Sequence, residues 1–95
     1  MKTGIEIIAE ERQRQIDVKG WSIEHDVAAN NDEQLAQAAA LYALHDDRRA
    51  YEFDVINLWP WDRRWYKPSP DNRIKELAKA GALIAAEIDR LQNAE

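Results

Sequence analysis

The chain has 95 residues, which suits one domain with a modest core. Hydrophobic residues make up 45% and charged residues 33%, a globular balance rather than a disordered one. The net charge of −5 disfavours broad binding of duplex nucleic acid, and the lack of cysteine excludes a disulfide scaffold and a thiolate metal site. No apolar run is as long as a membrane helix and the first residues lack a signal-peptide core, so we expect a cytoplasmic protein with no membrane partner.

The first predicted helix runs from about Gly4 to Val18, where apolar residues recur on one face and charged residues occupy the other. Gly20 suits the left-handed conformation that ends many helices. The sequence predicts a turn or short loop at 20–26. Trp21 in this loop is expected to fold back onto the first helix.

A second predicted helix starts near Asn31 or Asp32, since Asn and Asp side chains cap helix N-termini, and continues to about His45. Its small residues at 38–40 allow another helix to approach closely.

Residues 46–69 form the least regular part of the predicted domain. Apolar and polar residues alternate at 51–55, which predicts a short extended stretch, and a Trp/Pro-rich run follows at 58–68. Pro60 and Pro68 discourage a continuous helix. A long irregular connection in so small a domain is often functional.

The third predicted helix has Ser69 as its N-cap and Pro70 as its first residue. Its long apolar stripe consists of Ile74, Leu77, Ile84, Ile88 and Leu91. Leu83 lies off that stripe, so the helix can bury a second face, either in a homo-oligomer or against the tryptophan segment. The fold class is therefore predicted as mainly α, a single three-helix domain at 1–95 with a Trp/Pro-rich irregular segment between helices 2 and 3.

The aromatic cluster is the first candidate site. Aromatic faces stack on planar rings and basic side chains pair with phosphates, so this mixture suits a nucleotide-like ligand. The alternative is that two of the four tryptophans fill the core, with Trp59 and Trp65 as the candidates. The residues of this candidate site are Trp59, Trp61, Arg63, Arg64, Trp65, Tyr66 and Lys67.

A second set of candidates lies nearer the N-terminus. Arg12 and Gln15 share a helix face and can donate to an anion or a base edge. Trp21 and His25 are expected to close the pocket, although a His-Asp pair more often braces a loop. Arg73, at the start of the third helix, is a further candidate for phosphate binding.

Metal-dependent hydrolysis needs clustered ligands, and the sequence offers only weak candidates. The carboxylates Glu6, Glu10, Asp26 and Glu33 would have to come together, yet no paired Glu-x-x-Glu or Glu-x-x-Asp motif is convincing. A Gly-rich phosphate loop and a Ser-His-Asp arrangement are both missing from the sequence. We therefore predict no catalytic residue, no metal site and no cofactor.

Five segments resemble a family of short phage and prophage proteins of uncharacterised function. They are Glu-Arg-Gln-Arg-Gln at 11–15, Gly-Trp at 20–21, Glu-His-Asp at 24–26, Trp-Pro-Trp at 59–61 and Lys-Ala-Gly-Ala-Leu-Ile at 79–84. The Gly-Trp turn between a helix and a later aromatic-proline stretch is also similar to the ryanodine-receptor repeat domain, although the usual Tyr-Gly after that turn is missing. These resemblances imply a phage context and no established activity.

The resulting hypothesis is a phage-encoded, homo-oligomeric protein that sequesters a nucleotide-derived ligand without catalysis. In size and residue types the chain is similar to phage proteins that sequester immune second messengers, such as cyclic nucleotides or cyclic ADP-ribose derivatives. One alternative is a magnesium-dependent nucleotide pyrophosphohydrolase. Another is a protein–protein adaptor that uses an exposed tryptophan patch.

Overall fold

The computed structural model describes residues 1–44 and 57–93, and these residues form four α-helices and no strand. The helices are α1 (Gly4–Lys19), α2 (Ile23–Ala29), α3 (Gln34–Ala43) and α4 (Arg73–Asn93), with a turn of 3-10 helix at Arg63–Trp65. The prediction of a mainly helical small domain is confirmed. The extended stretch predicted at 51–55 lies outside the described residues.

Helix α1 begins and ends as its sequence predicts. Thr3 and Glu6 form a capping box, in which the Thr3 hydroxyl accepts the Glu6 amide and the Glu6 carboxylate accepts the Thr3 amide. At the other end Gly20 has φ 72°, and the Trp21 amide donates to the Gln15 carbonyl at 3.2 Å. This C-cap fixes the backbone of Trp21 against α1.

Helix α2 occupies residues that the sequence predicted as a loop. The Ser22 hydroxyl accepts the His25 amide at 3.2 Å, and Glu24 and Asp26 place negative charge in the first turn. The helix has only seven residues, which is too short for apolar periodicity to reveal it.

Helix α4 starts three residues later than predicted. Pro70 and Asp71 form a turn, and the Asn72 side chain accepts the Lys75 amide at 3.1 Å in the manner of an N-cap. Ser69 has a different partner, because its amide donates to the Glu76 carboxylate at 3.0 Å.

The core forms where α4 packs against each of the other three helices. Leu35 and Leu41 of α3 are fully buried against Leu83 of α4, and Trp59 and Tyr66 close the core from the segment between these helices. The predicted apolar stripe of α4 instead faces outward, with its five side chains 45–65% exposed. In the described residues no helix has the length and apolar character needed to span a membrane.

Candidate functional site

Aromatic side chains run from the core to the surface through the segment 59–66. Trp59 lies in the core, with its ring 5.7 Å from Tyr42 and 5.0 Å from Tyr66. Trp61 packs edge-on against Trp59 at 5.3 Å, and Trp21 lies 5.8 Å beyond Trp61. The aromatic row therefore begins in the core and ends at half-buried rings that face a cleft.

Hydrogen bonds between side chains and the backbone hold this segment in place. The Trp59 indole donates to the Asp62 carbonyl at 2.9 Å, and the Asp62 carboxylate accepts the Arg64 amide at 3.0 Å, capping the 3-10 turn. The Lys67 amide donates to the Tyr42 hydroxyl at 3.0 Å. These contacts hold Trp59 and the 3-10 turn that carries Trp65 in place.

A buried polar network makes hydrogen bonds to Trp21 and Trp61. The Arg12 guanidinium donates to the Trp21 carbonyl at 2.9 Å and lies 3.7 Å from the Asp26 carboxylate. Asp26 accepts the Asn30 amide at 2.8 Å, and the Asn30 oxygen accepts the Trp61 indole at 3.0 Å. Since Arg12, Asp26 and Asn30 are all buried, the network holds the Trp21 backbone and the Trp61 ring in place.

The cleft between α1, α2, α4 and the segment 59–67 has a volume of about 970 Å³, and we call it the tryptophan cleft. Trp21, Trp61 and the half-exposed ring of Trp65 form its aromatic walls. Five basic side chains line it against two carboxylates, although the whole chain is acidic. The charged lining residues are Glu11, Arg14, Lys19, Asp62, Lys67, Lys75 and Lys79.

Positively charged side chains lie close together in the tryptophan cleft. Burial lowers the pKa of Lys79, and the neighbouring charge of Lys75 lowers it further. Lys79 donates to the Lys67 carbonyl at 2.6 Å and lies 5.4 Å from the Tyr42 ring centre. An anion bound here would relieve both the repulsion and the cost of desolvation.

Glu11 neutralises part of the α1 side of the cleft. Burial alone would raise the pKa of Glu11, but hydrogen bonds and charge from Arg14 and a hydrogen bond from Gln15 lower it. The Arg14 guanidinium donates two hydrogen bonds to this carboxylate, at 2.7 and 2.8 Å. The remaining positive charge therefore lies on the lysines, chiefly on the α4 side and at Lys19.

Gln15 adds a polar group to the same wall. Its side chain is buried, its amide nitrogen lies 3.3 Å from the Glu11 carboxylate, and its oxygen accepts no hydrogen bond from the described residues. The nitrogen must face Glu11 because two oxygens would repel each other.

The structure brings six of the eleven predicted site residues to the tryptophan cleft. They are Trp21, His25, Trp59, Trp61, Trp65 and Lys67. Trp59 is a core residue as predicted, whereas Trp65 is 55% exposed, so the prediction that it could fill the core is wrong. On the surface, the Trp65 ring has Lys19 and Arg64 as cationic neighbours, at 5.8 and 6.0 Å from its centre.

The other five predicted residues lie outside the cleft lining. Arg12 belongs to the buried network, and Tyr66 belongs to the core. Arg73 donates to the last carbonyls of α3, those of Tyr42, Ala43 and Leu44. Arg63 and Arg64 are exposed on the 3-10 turn, where Arg64 pairs with Asp62 at 3.4 Å.

Sequence reasoning missed the lysines of α4 and, in the buried network, Asn30. Lys75 and Lys79 lie one turn apart on α4, so their shared face could have been found by helical spacing. Asn30 was not among the predicted site residues. Its contact with Trp61 spans 31 residues of sequence, a separation that no local pattern reveals.

The carboxylates considered for a metal site are held by other partners. Glu6 caps α1 and Glu10 pairs with Lys2 at 2.8 Å, while Asp26 lies in the buried network. Within residues 1–44 and 57–93, no group of three or more histidine or carboxylate side chains is placed to hold a metal ion.

Comparison with known proteins gives no match, whether to a protein-family model, a curated protein or a solved structure. The resemblances to short phage proteins and to the ryanodine-receptor repeat domain therefore stay predictions.

Proposed function

We propose that the protein binds a small, planar, negatively charged ligand of nucleotide type in the tryptophan cleft. One observation carries the proposal: a cleft with tryptophan walls and five basic side chains occurs in a chain of net charge −5. A protein of that charge repels anions in general, so local clustering of cations favours a particular anionic ligand.

The aromatic walls supply the planar part of the recognition. Trp61 is anchored by Asn30 and packed on Trp59, which makes it a rigid platform. Trp65 is 55% exposed at the rim, so a ring can stack on it without displacing core residues. Stacking of a base on such a ring contributes about 1–3 kcal/mol.

The basic side chains supply the charge. Lys75 and Lys79 lie side by side on α4, and Lys19 reaches the cleft from α1. Phosphate groups near these lysines would raise the depressed pKa of Lys79 toward its ordinary value. The cleft volume of about 970 Å³ is at the upper end of small-molecule sites, enough for a dinucleotide-sized ligand.

The biological role follows from the resemblance alone. In a cytoplasmic phage protein, such a cleft would sequester a nucleotide second messenger of host immunity, such as a cyclic nucleotide or a cyclic ADP-ribose derivative, and would release it unchanged. The magnesium-dependent pyrophosphohydrolase and the adaptor are the competing functions, and the experiment below separates all three.

The test is a thermal-shift and calorimetric screen against nucleotides, cyclic dinucleotides and cyclic ADP-ribose isomers, each paired with its phosphate-free nucleoside. We expect a nucleotide to raise the melting temperature without magnesium and to be recovered intact, while its nucleoside has a weaker effect. A ligand recovered in altered form would indicate the enzyme. No shift from any compound would contradict ligand binding and favour the adaptor.

Variants locate the site once a ligand is found. Trp65→Ala should weaken binding about tenfold, the loss of one stacking contact. Lys75→Gln should weaken binding and lower its dependence on salt. Lys2→Gln is the matched control, because Lys2 is an exposed lysine paired with Glu10, and it should change neither property. Unchanged affinity in both cleft variants would place the site elsewhere.

A further inference from the structure

The outward face of α4 carries large apolar side chains in contact with solvent. We call Ile74, Leu77, Ile84, Ile88 and Leu91 the apolar stripe, and each is between 45% and 65% exposed. Other sides of α4 pack against α1, α2 and α3, with Leu83 and Ala86 in the core. Among residues 1–44 and 57–93, nothing therefore covers the most apolar side of this central helix.

The spacing of the stripe is that of a helix–helix seam. Positions 74, 77, 81, 84, 88 and 91 follow one another at intervals of three, four, three, four and three residues. This is the a/d pattern of helices that pack along their length, and it occupies one continuous line on α4. The spacing selects a helix, rather than a loop or a strand, as the element that covers the stripe.

The order of these intervals is the same from either end of α4. If a second α4 lies antiparallel, position 74 faces 91, position 77 faces 88 and position 81 faces 84. Gly81 has no side chain, and Ile8 of the same chain occupies the space above it, so Ile84 of a second copy faces Ile8 at this position. Self-complementarity of this kind is what a two-fold symmetric interface requires.

An apolar groove lies beside the stripe at the position that this register demands. Between the first turns of α1 and α4, a groove of about 300 Å³ is lined by Gly4, Ile7, Ile8, Ile74, Leu77 and Ala78. In the antiparallel arrangement, Ile88 and Leu91 of a second copy reach this groove. Ile8 packs over Gly81, where an added Cβ atom would come within 2.6 Å of the Ile8 Cδ1 atom, so α1 takes part in the same surface.

The exposed apolar area is a large part of what a dimer interface buries. The stripe exposes on the order of 500 Å² of apolar surface, close to the largest patch that a typical monomer shows. A standard interface buries roughly 800 Å² per partner, so the stripe alone supplies more than half of that area. The stripe itself holds no charged side chain, so its burial leaves no ion without a partner.

From these observations we propose that the protein forms a two-fold symmetric dimer, in which the α4 helices of two copies pack antiparallel through the apolar stripe. The two-fold axis passes between positions 81 and 84. This inference is independent of the ligand, because Lys75, Lys79 and Leu83 line the tryptophan cleft from the other side of α4.

Sedimentation equilibrium of the wild-type chain tests the dimer directly. Ile84→Asp places two carboxylates at the axis and should raise the dimer dissociation constant at least about 100-fold. Val18→Asp is the matched control, since Val18 is an exposed apolar residue of α1 outside the stripe, and it should leave the dimer unchanged. A monomeric wild type, or equal effects of the two variants, would overturn the proposal.

A second variant tests the dimer with a substitution that is expected to leave the fold intact. Ile88→Gln introduces no charge on a side chain that is already 52% exposed, so helix content by circular dichroism should match the wild type. We expect it to weaken the dimer less than Ile84→Asp, because position 88 lies away from the axis. A folded Ile88→Gln protein that dimerises as tightly as the wild type would contradict the proposal.

Cysteine crosslinking tests the register, since the sequence contains no cysteine. The double variant Leu77→Cys with Ile88→Cys should form a covalent dimer under mild oxidation, because these positions face each other in the antiparallel arrangement. Each single variant should stay uncrosslinked. A covalent dimer from Ile88→Cys alone would indicate parallel helices and overturn the register.

Discussion

Glu33 is a strained residue at the start of α3. It has φ 66°, and it is the one non-glycine residue in 1–44 and 57–93 with a positive φ. A hydrogen bond and charge repulsion from the Glu87 carboxylate raise the pKa of Glu33. Arg90 donates two hydrogen bonds to the Glu87 carboxylate, at 2.6 and 3.0 Å, and lowers the pKa of Glu87, so Glu33 is the carboxylate of this pair that takes up a proton first as the pH falls.

Glu33→Gln should stabilise the fold at neutral pH. The wild-type carboxylate is then ionised and repels Glu87. The glutamine amide instead donates a hydrogen bond to Glu87 without having to be protonated first. A raised folded-state pKa means that the wild type gains stability as pH falls through that pKa, and the gain is complete below the unfolded value of about 4.3. The advantage of Glu33→Gln should therefore shrink with acidification, as urea denaturation at each pH would measure.

The matched control is Glu24→Gln in the first turn of α2, where an exposed carboxylate favours the helix start. This variant should be slightly less stable than the wild type at neutral pH, which is the opposite sign. A Glu33→Gln protein that is less stable at neutral pH would show that the Glu33–Glu87 contact is favourable when ionised.

At single residues, the sequence predicted the chemistry of the site better than the position of each side chain. Trp21, Trp61 and Trp65 were predicted to bind a ligand because aromatic rings near cations are suited to it, and all three line one cleft. Arg12 and Arg73 have the same chemistry but are held by backbone carbonyls. Those partners are remote in sequence, so composition cannot separate a buried structural arginine from one at a site.

The end of α1 depends on one glycine. Gly20 has φ 72°, and an added Cβ atom would have no neighbour within 4 Å. Gly20→Ala should therefore cost about 1 kcal/mol of unfolding free energy, because alanine disfavours the left-handed conformation and no clash contributes. Chemical denaturation at fixed protein concentration would measure this loss.

Gly20→Asn is the control for that prediction, because asparagine tolerates the left-handed conformation better than alanine. It should retain more stability than Gly20→Ala. Equal stability of the alanine variant and the wild type would mean that the chain after α1 leaves the helix by another conformation.

Helix α4 shows why element orientation was harder to predict than element existence. Its stripe of isoleucine and leucine was the obvious core face, yet the buried face carries Leu83, several alanines and the ion pair Glu87–Arg90. Small residues bury little area each but let three helices approach closely, and pairing removes the penalty for burying the charges. Hydropathy alone cannot reveal either effect.

At the scale of the molecule, α4 separates two different surfaces. One side faces the tryptophan cleft through Lys75, Lys79 and Leu83, and the other carries the apolar stripe. Ligand binding and self-association are therefore expected to use different faces of one rigid helix. In a two-fold dimer each copy keeps its own cleft, so ligand binding should saturate at one molecule per chain.

The melting temperature should depend on protein concentration in the wild type. When folded dimers unfold to separate chains, mass action favours the folded state at high concentration. Ile84→Asp should melt lower and at a temperature independent of concentration, because it removes association while the fold of each chain persists. Differential scanning calorimetry over a dilution series would measure both proteins.

The same series with a cleft ligand separates the two proposals, because Ile84 lies on the face of α4 away from the cleft. A saturating ligand should raise the melting temperature of Ile84→Asp, just as it does for the wild type, since the cleft of each chain is intact. Loss of the ligand-induced shift in Ile84→Asp would mean that the cleft requires the second copy. A concentration-independent wild type that still responds to ligand would contradict the dimer and leave the binding proposal in place.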